Sequence, residues 1–365
     1  MTSPAMDDPL TRALFWPFSR GLLDGPTEGS APWLYLNARA GADADDAWHT
    51  SLVCLQPDKA NHDMLVRRRF KVASERADDD LFAGTLVRLG RDRQEGRGLI
   101  ADALAATVAG GLIVIAGAKD EGGQSHERDV GALLGLDGVV PKSGCRVFWL
   151  RKPARLDEKA VAELARWQQA ARPQAHIGTY VTCPGLFSWQ AIDAGSRFLG
   201  DNLPAPLAGK VAELGCGWGY LAGALLDHAP KIATLDLYEA DARALACARV
   251  NLARFGERTI AWHWHDVSTG LLMERHYDWI ISNPPFHRGK AAEPKIGQSF
   301  ITAAARALSP RGQLLLVANR QLPYERTLGD MFNDVALTHE NGTYKIITAR
   351  GIKTQSSSGH RSRRR

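Results

Sequence analysis

The sequence predicts an α/β fold with two Rossmann-like domains in tandem, of which the first is a degenerate copy of the second. Three observations lead to this prediction. Residues 211–228 read as strand, glycine-rich turn and helix; an apolar strand over 278–282 stops at two prolines; and residues 99–116 resemble residues 300–317. Strands that alternate with helices are typical of parallel sheets covered by helices.

The internal similarity extends over a helix and the strand that follows it. Gly111 in the first half falls on Gly312 in the second, an offset of 201 residues (312 minus 111). Residues 144–149 also resemble residues 342–347 at a nearby offset. Such self-similarity indicates a duplicated domain, the alternative being a chance likeness of two helix–strand units.

The first copy lacks the residues that carry chemistry in the second. It has no Gly-x-Gly-x-Gly turn, and Leu89-Gly90-Arg91-Asp92-Arg93 stands where the second copy has Asn283-Pro284-Pro285-Phe286. We interpret it as an inactive copy, kept for substrate docking or for support of the active half. It should bind no cofactor and yet be needed for recognition of the full substrate.

The predicted elements of the second half follow one another as in a doubly wound domain. They are, in chain order, a strand over 211–214, a helix over 221–228, strands over 235–239, 262–266 and 278–282, a helix over 296–308, a turn at 310–312, a strand over 313–318, the Asn341-Gly342 turn and a strand over 344–349. The predicted domains span residues 1–152 and 176–350, with a charged helical connector over 153–175 and a disordered basic tail over 351–365.

Composition is that of a globular protein, with 45% hydrophobic and 23% charged residues among 365. No apolar run approaches the roughly 20 residues that a membrane-spanning helix needs. The N-terminus carries Asp7 and Asp8 and has no basic-then-apolar secretory pattern. The five cysteines form no Cys-x-x-Cys pair, which favours a reducing cytoplasm and gives no support for structural zinc.

The basic net charge belongs to the C-terminal tail. The whole chain carries +5, and residues 351–365 hold five basic residues and no acidic one, so residues 1–350 sum to zero. A basic arm of this kind either binds phosphates without specificity or only aids solubility.

The glycine-rich turn predicts a ligand-binding site. Glycines at alternate positions, Gly215, Gly217 and Gly219, let the backbone pass close to a ligand at a helix N-terminus. Their spacing differs from the Gly-x-Gly-x-x-Gly of dinucleotide-binding proteins. Glu213, two residues before the first glycine, suits a ligand with a cationic amine. S-adenosylmethionine (SAM) carries such an amine and no phosphate.

Two further carboxylates stand where that cofactor would need them. Glu239 ends a short strand-like run, where an acidic residue accepts from ribose hydroxyls, and Asp266 ends the next run, where it would accept from an adenine amino group. Taken singly, either residue is equally well a helix N-cap or a first-turn charge. The ordered set of glycine turn, Glu239, Asp266 and Asn283 favours the cofactor interpretation.

The tetrapeptide Asn283-Pro284-Pro285-Phe286 predicts the acceptor side of the site. Two consecutive prolines cannot continue a central strand, so the backbone stops at a strand's carboxyl end, where open α/β sheets bind ligands. Asn283 offers a side-chain oxygen, Pro284 a backbone carbonyl and Phe286 a flat face. This combination suits a planar group with an exocyclic NH2, held and aimed at a methyl donor.

The motifs resemble those of the two-domain ribosomal RNA guanine-N2 methyltransferases of the RsmC/RlmG type. The likeness covers about residues 176–350 and includes Pro184-Gly185-Leu186-Phe187-Ser188, Asp193-Ala194-Gly195-Ser196 and Tyr344-Lys345. Over residues 1–150 it rests mainly on the duplicated layout. The resemblance implies two class I methyltransferase domains in tandem, the first degenerate and the second catalytic. It further implies SAM as methyl donor, no metal, and ribosomal RNA or the small ribosomal subunit as partner of a cytoplasmic monomer.

The resemblance also implies a role for each motif residue. Those assigned to the cofactor are Glu213, Gly215, Gly217, Gly219, Glu239, Asp266 and Asn283; those assigned to catalysis are Asn283, Pro284 and Phe286; and those assigned to the substrate base are Pro285, Phe286 and His287. Two residues depart from the family pattern, since Trp218 is bulky where a small residue is common and Glu213 replaces an aspartate.

Several alternatives stay open from the sequence. The same tetrapeptide serves methylation of adenine N6 or of a glutamine amide, since both acceptors are planar NH2 groups. A dinucleotide-dependent oxidoreductase or a non-catalytic rRNA-binding assembly factor belongs to a different class. His263 and His265 lie at strand spacing with no third ligand in view, so we expect no metal.

Overall fold

The computed structural model describes residues 8–41, 46–77, 79–256, 258–285, 287–288, 291–292 and 294–353. The chain forms two compact units, the first comprising Met1–Ala191 with Ala240–Val250 and the second Ile192–Glu239 with Asn251–Arg365. Each unit contains a seven-stranded sheet. The predicted disordered tail over 351–365 is wrong at its start, because residues 351 and 352 continue the strand Tyr344–Ile352. The rest of the tail, from residue 354 onward, lies outside the described residues.

The first unit is built around a sheet in the order β3-β2-β1-β4-β5-β7-β6. The elements up to residue 191 are α1 (Pro9–Ser19), β1 (Trp33–Leu36), α2 (Asp46–Ser51), β2 (Leu52–Leu55), α3 (Lys59–Arg67), β3 (Lys71–Ala73), β4 (Phe82–Arg88), α4 (Arg93–Ala106), β5 (Thr107–Ala118), α5 (Gly123–Leu134), β6 (Gly138–Lys142), β7 (Cys145–Arg151), α6 (Glu158–Ala171), β8 (Gln174–Ile177) and β9 (Tyr180–Thr182). Strands β1 to β5 pair in parallel, whereas β7 is antiparallel to both of its neighbours.

Both faces of the first sheet are buried. Alternate side chains of β1 enter different clusters, because successive residues of a strand point to opposite faces. Tyr35 packs with Leu14 and Phe15 of α1, whereas Leu34 packs with Ile100 of α4 on the other side. Burial on both faces explains why strands of this sheet read as continuous apolar runs.

The second half of the chain supplies the other sheet, in the order β12-β11-β10-β13-β16-β18-β17. Its elements are α7 (Ala194–Asp201), β10 (Ala208–Leu214), α8 (Tyr220–His228), β11 (Lys231–Glu239), α9 (Ala242–Asn251), β12 (Ile260–Trp264), β13 (Tyr277–Ser282), β14 (His287–Arg288), β15 (Ala291–Ala292), α10 (Pro294–Ala307), β16 (Leu308–Asn319), α11 (Glu325–Met331), β17 (Phe332–Glu340) and β18 (Tyr344–Ile352). Most of α9 is counted with the first unit.

The two sheets have the same strand order, which confirms the predicted tandem of Rossmann-like domains. Read by position within each copy, both orders are 3-2-1-4-5-7-6. The order reverses between the first and fourth strands, β1 and β4 in one copy and β10 and β13 in the other. Ligands of doubly wound sheets bind at this switch point, outside the carboxyl ends of the strands.

The predicted duplication is also confirmed at the level of single elements. Helix α4 and strand β5 span Arg93–Ala106 and Thr107–Ala118, and adding 201 to each bound gives Pro294–Ala307 and Leu308–Asn319, the bounds of α10 and β16. The later strand β18 begins 199 residues after β7 (344 minus 145). The helix–strand unit has therefore kept its length in both copies.

The predicted turn at 310–312 and the matching segment of the first copy, around Gly111, are bulges inside strands. In β5 the pairing with β4 passes from Thr107 directly to Leu112, and in β16 the pairing with β13 passes from Leu308 to Gln313. The skipped residues include Gly111 and Gly312. An added Cβ at either glycine would overlap a backbone carbonyl oxygen, of Ala83 in one copy and of Tyr277 in the other. Glycine therefore permits close backbone approach here and does not reverse the chain.

Strand β17 was not predicted. Its side chains are mostly exposed, with Phe332 as the buried exception. It lies at the edge of the second sheet and pairs with β18 alone among the strands. An edge strand whose two faces are both mostly exposed lacks the alternation of buried apolar and exposed polar residues by which strands are recognised.

One glycine of the repeated helix accommodates a different ring in each copy. Gly96 of α4 and Gly297 of α10 correspond at the offset of 201 (297 minus 96). A Cβ at Gly96 would overlap the ring of His126, and a Cβ at Gly297 would overlap the ring of Tyr324. Each helix thus lies directly against an aromatic side chain of its own copy.

Candidate functional site

The predicted site residues converge on one edge of the second sheet. Strands β12, β11, β10 and β13 are consecutive neighbours and run parallel. The carboxyl ends of parallel strands share one edge. Asp266 follows β12, Glu239 ends β11, the glycine turn follows β10 and Asn283 follows β13. The structure therefore brings together residues that are up to 68 positions apart (283 minus 215).

The glycine turn adopts a left-handed backbone at all three glycines. The φ angles are 75° at Gly215, 54° at Gly217 and 89° at Gly219, which is the N-cap of α8. The N–H groups of Gly215 and Cys216 both donate to the carbonyl oxygen of Tyr238, at 2.9 and 3.1 Å. These bonds tie the turn to β11, and the conformation is one that residues with a Cβ rarely adopt.

Glu239 supports the turn directly. Its Oε2 accepts a hydrogen bond of 2.8 Å from the N–H of Gly217. This bond fixes the carboxylate beside the glycine turn that leads into α8. This places an anionic group at the end of β11, as the sequence predicted, with a structural bond that the sequence did not indicate.

Glu213 is a buried carboxyl group with an unsatisfied oxygen. Its side chain is 2% exposed, and its Oε2 has no hydrogen-bond partner among the described residues. Burial and, after it, the charge of Glu239 raise its pKa well above the usual value. A buried acceptor without a partner is costly. The site is therefore prepared for a donor, preferably a cationic one.

Asp266 is both a cap and a candidate anchor. Its Oδ1 accepts a 2.9 Å bond from the N–H of Ser268 at the start of a short 3-10 helix. The N-cap role that the sequence left open is thus observed, and the carboxylate stands at the same sheet edge as Glu239. Trp218, the bulky departure from the family pattern, is buried, with its ring 6.0 Å from that of Tyr220.

Asn283 is held by two side chains of the loop and helix that precede the glycine turn. Its Nδ2 donates to Asp193 Oδ2 at 2.8 Å and to Ser196 Oγ at 2.9 Å. Ser282, just before it, donates from Oγ to the carbonyl oxygen of Leu214 at 2.8 Å. The end of β13 is thus fixed to α7 and to β10. Since Nδ2 faces Asp193, the amide oxygen of Asn283 faces the other way.

The remaining tetrapeptide residues are described in part. Pro284 is buried and Pro285 is exposed. Phe286 lies outside the described residues, so its predicted stacking role is not placed. His287 begins β14, which pairs antiparallel with β15.

The histidine pair of β12 and its neighbour has partners of its own. The His263 ring stacks on Tyr238 at 4.4 Å between centroids, and His265 Nε2 lies 2.7 Å from the carbonyl oxygen of Gly270. Across the described residues, no group of three or more potential ligands is placed to hold a metal ion. Nor does any described helix have the length and apolar character to cross a membrane.

The same edge of the first sheet carries different residues. Leu36 pairs with Val87 as Leu214 pairs with Ser282. Tyr35 thus corresponds to Glu213, and Asn37 to Gly215. Asn37 keeps a left-handed φ of 53°. Asparagine tolerates this conformation better than other residues with a Cβ, so the shape of the turn persists although its glycine is gone.

The register also places Arg88 at the position of Asn283. Arg88 pairs with Ala116, which maps onto Val317 (116 plus 201), one residue beyond Leu316, the partner of Ser282. The equivalent of the tetrapeptide therefore begins at Arg88, one residue earlier than the predicted Leu89. An arginine at this point has only hydrogen-bond donors and cannot accept from an NH2 group.

Arg88 closes this edge of the first unit with an ion pair. Its Nε donates to Asp8 Oδ2 at 2.8 Å. Burial alone would raise the pKa of Asp8, but the hydrogen bond and charge of Arg88, together with the hydrogen bond of Thr11 and the charge of Arg39, outweigh it and lower the pKa to about 2. Nearby, Gln56 takes the place of Glu239 and donates to the carbonyl oxygen of Ala38 at 2.6 Å. The polar groups at this edge bond to one another.

The fold, together with the candidate site of the second unit, is that of a class I methyltransferase. The family model described as "Methyltransferase small domain" matches residues 178–348. A solved structure titled "T. Thermophilus 16S rRNA N2 G1207 methyltransferase (RsmC) in complex with AdoMet and Guanosine" has a TM-score of 0.75, covering 95% of this chain and 93% of that one at 22% identity. This match shows that the tandem fold is shared.

Curated relatives narrow the class to a family. "Ribosomal RNA small subunit methyltransferase C" of Shewanella loihica is 32% identical over 247 residues, which are 67% of this chain and 70% of that protein. The protein of the same name from Shewanella halifaxensis is 38% identical over 205 residues, 56% of this chain and 58% of the relative. Several matches thus span little more than half the relatives' length. The chain belongs to the ribosomal RNA small subunit methyltransferase C family, which confirms the resemblance found in the motifs.

Proposed function

We propose that this protein transfers a methyl group from SAM to the exocyclic N2 amine of a guanine in ribosomal RNA, with small-subunit rRNA as the substrate. One observation carries the proposal. The ends of four adjacent parallel strands hold, in sheet order, Asp266, Glu239, the glycine turn and Asn283. All of them lie in the second unit. Relatives named as rRNA methyltransferases and a related fold determined with AdoMet and guanosine support the choice of reaction.

The residues present fit SAM. Glu213 Oε2 is buried without a partner among the described residues, and the ammonium group of the methionine moiety would supply the missing donor and counter-charge. Glu239 would accept from the ribose hydroxyls and Asp266 from the adenine amino group. The left-handed glycines leave the turn backbone open to close approach. SAM supplies an electrophilic methyl group on a sulfonium, and no metal is needed for this chemistry.

Asn283 and Pro284 would hold the acceptor amine. The lone pair of an exocyclic amine is delocalised into the ring, which makes it a poor nucleophile. Two acceptors, the Asn283 amide oxygen and the Pro284 carbonyl oxygen, would each accept a hydrogen bond from one N–H of this amine. These bonds would aim the lone pair out of the plane of the base. They would also stabilise the positive charge that develops on nitrogen. The transfer would form the N–C bond as the S–C bond breaks, with S-adenosylhomocysteine as the leaving group. The resulting ammonium would then lose its proton to water, so no strong base is required beforehand.

The surrounding residues complete the proposed substrate site. Pro285, Phe286 and His287 would contact the base, with Phe286 as the stacking plate for a guanine taken out of its helix or presented in a loop. Asn283 borders both the acceptor and the cofactor. In this proposal residues 176–350 carry out the chemistry as the methyltransferase domain.

The first unit would serve recognition and support. It offers Tyr35, Asn37, Gln56 and Arg88 where the second unit has Glu213, Gly215, Glu239 and Asn283. We propose that it binds no SAM and widens the surface that contacts rRNA. The protein would act as a monomer in the cytoplasm, on naked rRNA or on the small ribosomal subunit.

Nucleoside analysis tests this proposal most directly. The full-length protein is incubated with SAM labelled in its methyl group and with small subunits or naked small-subunit rRNA from cells that lack the gene. We expect N2-methylguanosine at one position, found by nucleoside mass analysis and primer extension. Label on an adenine, or on a glutamine of a ribosomal protein, would contradict the choice of acceptor. Binding of the subunit without transfer would favour an assembly factor.

A further inference from the structure

We propose that Asp193 and Ser196 are positioning residues that fix the orientation of the Asn283 amide, so that its oxygen and not its NH2 group faces the acceptor amine. This inference rests on the proposed function. It gives a role to the Asp193-Ala194-Gly195-Ser196 motif, which the resemblance singled out without one.

The contacts leave one orientation of the amide. Asn283 Nδ2 lies 2.8 Å from Asp193 Oδ2 and 2.9 Å from Ser196 Oγ. An ionised carboxylate only accepts hydrogen bonds. A reversed amide would bring its oxygen against that carboxylate, which is repulsive. The reversed amide would also present NH2 to an acceptor amine that needs an oxygen.

Asp193 is itself fixed to the backbone. It is the N-cap of α7, and the same Oδ2 accepts a 2.8 Å bond from the N–H of Ser196. Gly195 allows a tight approach on the other side, because a Cβ there would lie 3.0 Å from Tyr344 Cε1 and 3.1 Å from Asp193 Oδ2. Tyr344 belongs to β18, so the first turn of α7, which Asp193 caps, lies directly against the sheet.

The first unit provides an internal comparison. Asp8 caps α1 as Asp193 caps α7, and Thr11 stands three residues after Asp8 as Ser196 stands three after Asp193. In this copy, Asp8 holds Arg88, the residue at the register position of Asn283. The capping aspartate is therefore an anchor for that position in both copies. The side chain that it holds differs, and only Asn283 can accept from an amine.

Loss of the hydrogen bond between Asp193 and Asn283 should have a defined effect on kcat. A hydrogen bond to a charged group contributes about 1.5–3 kcal/mol, so loss of the Asp193 contact should lower kcat by about 10- to 100-fold. The affinity for SAM should not change, because Asp193 is not assigned to the cofactor. A residue that supported only the fold would alter stability without this separation.

The experiment compares exchanges at Asp193 in the full-length protein. Asp193→Ser keeps an N-cap but is too short to reach Asn283, whereas Asp193→Asn keeps an oxygen for both bonds. Ser196→Ala removes the second acceptor. Asp157→Ser is the matched control, since Asp157 caps α6 by a bond to the Ala160 N–H and does not touch Asn283. Steady-state methylation of rRNA, SAM affinity by calorimetry and thermal unfolding are measured for each.

We expect kcat to fall in Asp193→Ser and less in Ser196→Ala, to recover mostly in Asp193→Asn, and to stay unchanged in Asp157→Ser. SAM affinity should be the same in all five proteins, wild type included. In an Asn283→Ala background, Asp193→Ser should lower kcat by less than about 2-fold more, because the two residues act as a unit.

Three results would overturn the inference. They are an unchanged kcat in Asp193→Ser, an equal loss in Asp193→Asn and Asp193→Ser, and a full additional loss in the Asn283→Ala background. If Asp193→Ser does not fold, an unchanged kcat in Ser196→Ala decides against it. A wild-type protein that methylates no guanine would instead disprove the proposed function, and this inference with it.

Discussion

Under the proposed function, Glu213 would link the protonation of the free protein to cofactor binding. Its carboxyl is buried, and burial with the charge of Glu239 raises its pKa above the usual 4.5. A raised acid pKa means that the folded protein binds the proton more tightly than the unfolded chain. The contribution to stability is therefore complete below pH 4.5 and is lost as the pH rises through the folded pKa.

Glu213→Gln should separate the effect of this carboxyl group on stability from its effect on SAM binding. Glutamine mimics the protonated acid. Without SAM, the variant should therefore have the same free energy of unfolding as the wild type below about pH 4.5, and a progressively larger one than the wild type as the pH rises above 4.5. SAM affinity should fall by roughly 10-fold at neutral pH, since the counter-charge for the amine is lost. Denaturant unfolding across pH and calorimetry would measure both. A constant stability difference between pH 4 and pH 8 would contradict the shifted pKa.

Asn283→Ala should abolish methyl transfer and leave SAM affinity nearly unchanged. The amide is assigned mainly to the acceptor amine, and removal of one such positioned polar group costs about 100- to 1,000-fold in kcat. Single-turnover methylation and calorimetry test the separation. An equal loss of SAM binding would mean that Asn283 mainly shapes the cofactor pocket.

At the residue scale, the sequence indicated the candidate site residues but not the contacts that hold Asn283 in place. Acidic residues and an asparagine after strand-like runs are local patterns, and they led to Glu239, Asp266 and Asn283. The contacts from Asp193 and Ser196 to Asn283 span 90 and 87 residues. No spacing rule connects positions that far apart, because only the fold brings α7 beside the end of β13.

Among the elements, the glycine turn has a conformation that the two copies achieve with different residues. Gly215 has a φ of 75°, and its counterpart Asn37 has a φ of 53°. Gly215→Ala should cost about 1–2 kcal/mol of unfolding free energy, and Gly215→Asn clearly less, because asparagine tolerates this region. An added Cβ would meet only Phe300 Cε1, at an ordinary 3.5 Å. The penalty is therefore one of backbone conformation.

Chemical denaturation of both Gly215 variants measures this difference. Asn37→Gly in the first unit is the reciprocal exchange, and it should cost about 1 kcal/mol, because Asn37 Nδ2 donates to the carbonyl oxygen of Arg88 at 3.1 Å and glycine loses this bond. Equal losses in Gly215→Ala and Gly215→Asn would show that steric overlap, and not the φ angle, requires glycine at this position.

Element prediction succeeded where a strand or helix buries a regular face. Strands β10, β11 and β13 and helices α8 and α10 follow apolar patterns and are found close to their predicted bounds. Strand β17 exposes most of its side chains and gives no such pattern. The bulges at Gly111 and Gly312 look like turns in the sequence, because glycine serves both tight reversal and close backbone approach.

For the molecule as a whole, the two copies should differ completely in cofactor binding. Calorimetric titration of the full chain with SAM should show a single site per chain. Glu239→Ala and Asp266→Ala should each weaken it, because both carboxylates are assigned to the nucleoside. Gln56→Ala, at the counterpart of Glu239 in the first unit, should leave it unchanged in folded protein. A second site that survives loss of Glu239 and Asp266 would place a cofactor in the first unit.

The duplication could be recognised from the sequence because the helix–strand unit has the same length in both copies. An offset of 201 relates α4 and β5 to α10 and β16 at every bound. The glycine turn and the tetrapeptide have diverged beyond recognition in the first copy. Only the strand register reveals that Arg88 and Tyr35 occupy the positions of Asn283 and Glu213.

The paired glycines of α4 and α10 have a consequence for biosynthesis. Tandem copies with equal strand order can exchange equivalent segments while the nascent chain folds, which is a characteristic misassembly of repeated domains. If α4 were captured by the other sheet, Gly96 would lie against the phenol of Tyr324, as Gly297 does in its own copy. In the opposite exchange, Gly297 would lie against the imidazole of His126, as Gly96 does. Because a glycine lies against the ring in both copies, this contact would oppose neither exchange, and each helix must be held in its own copy by the residues that differ between the two.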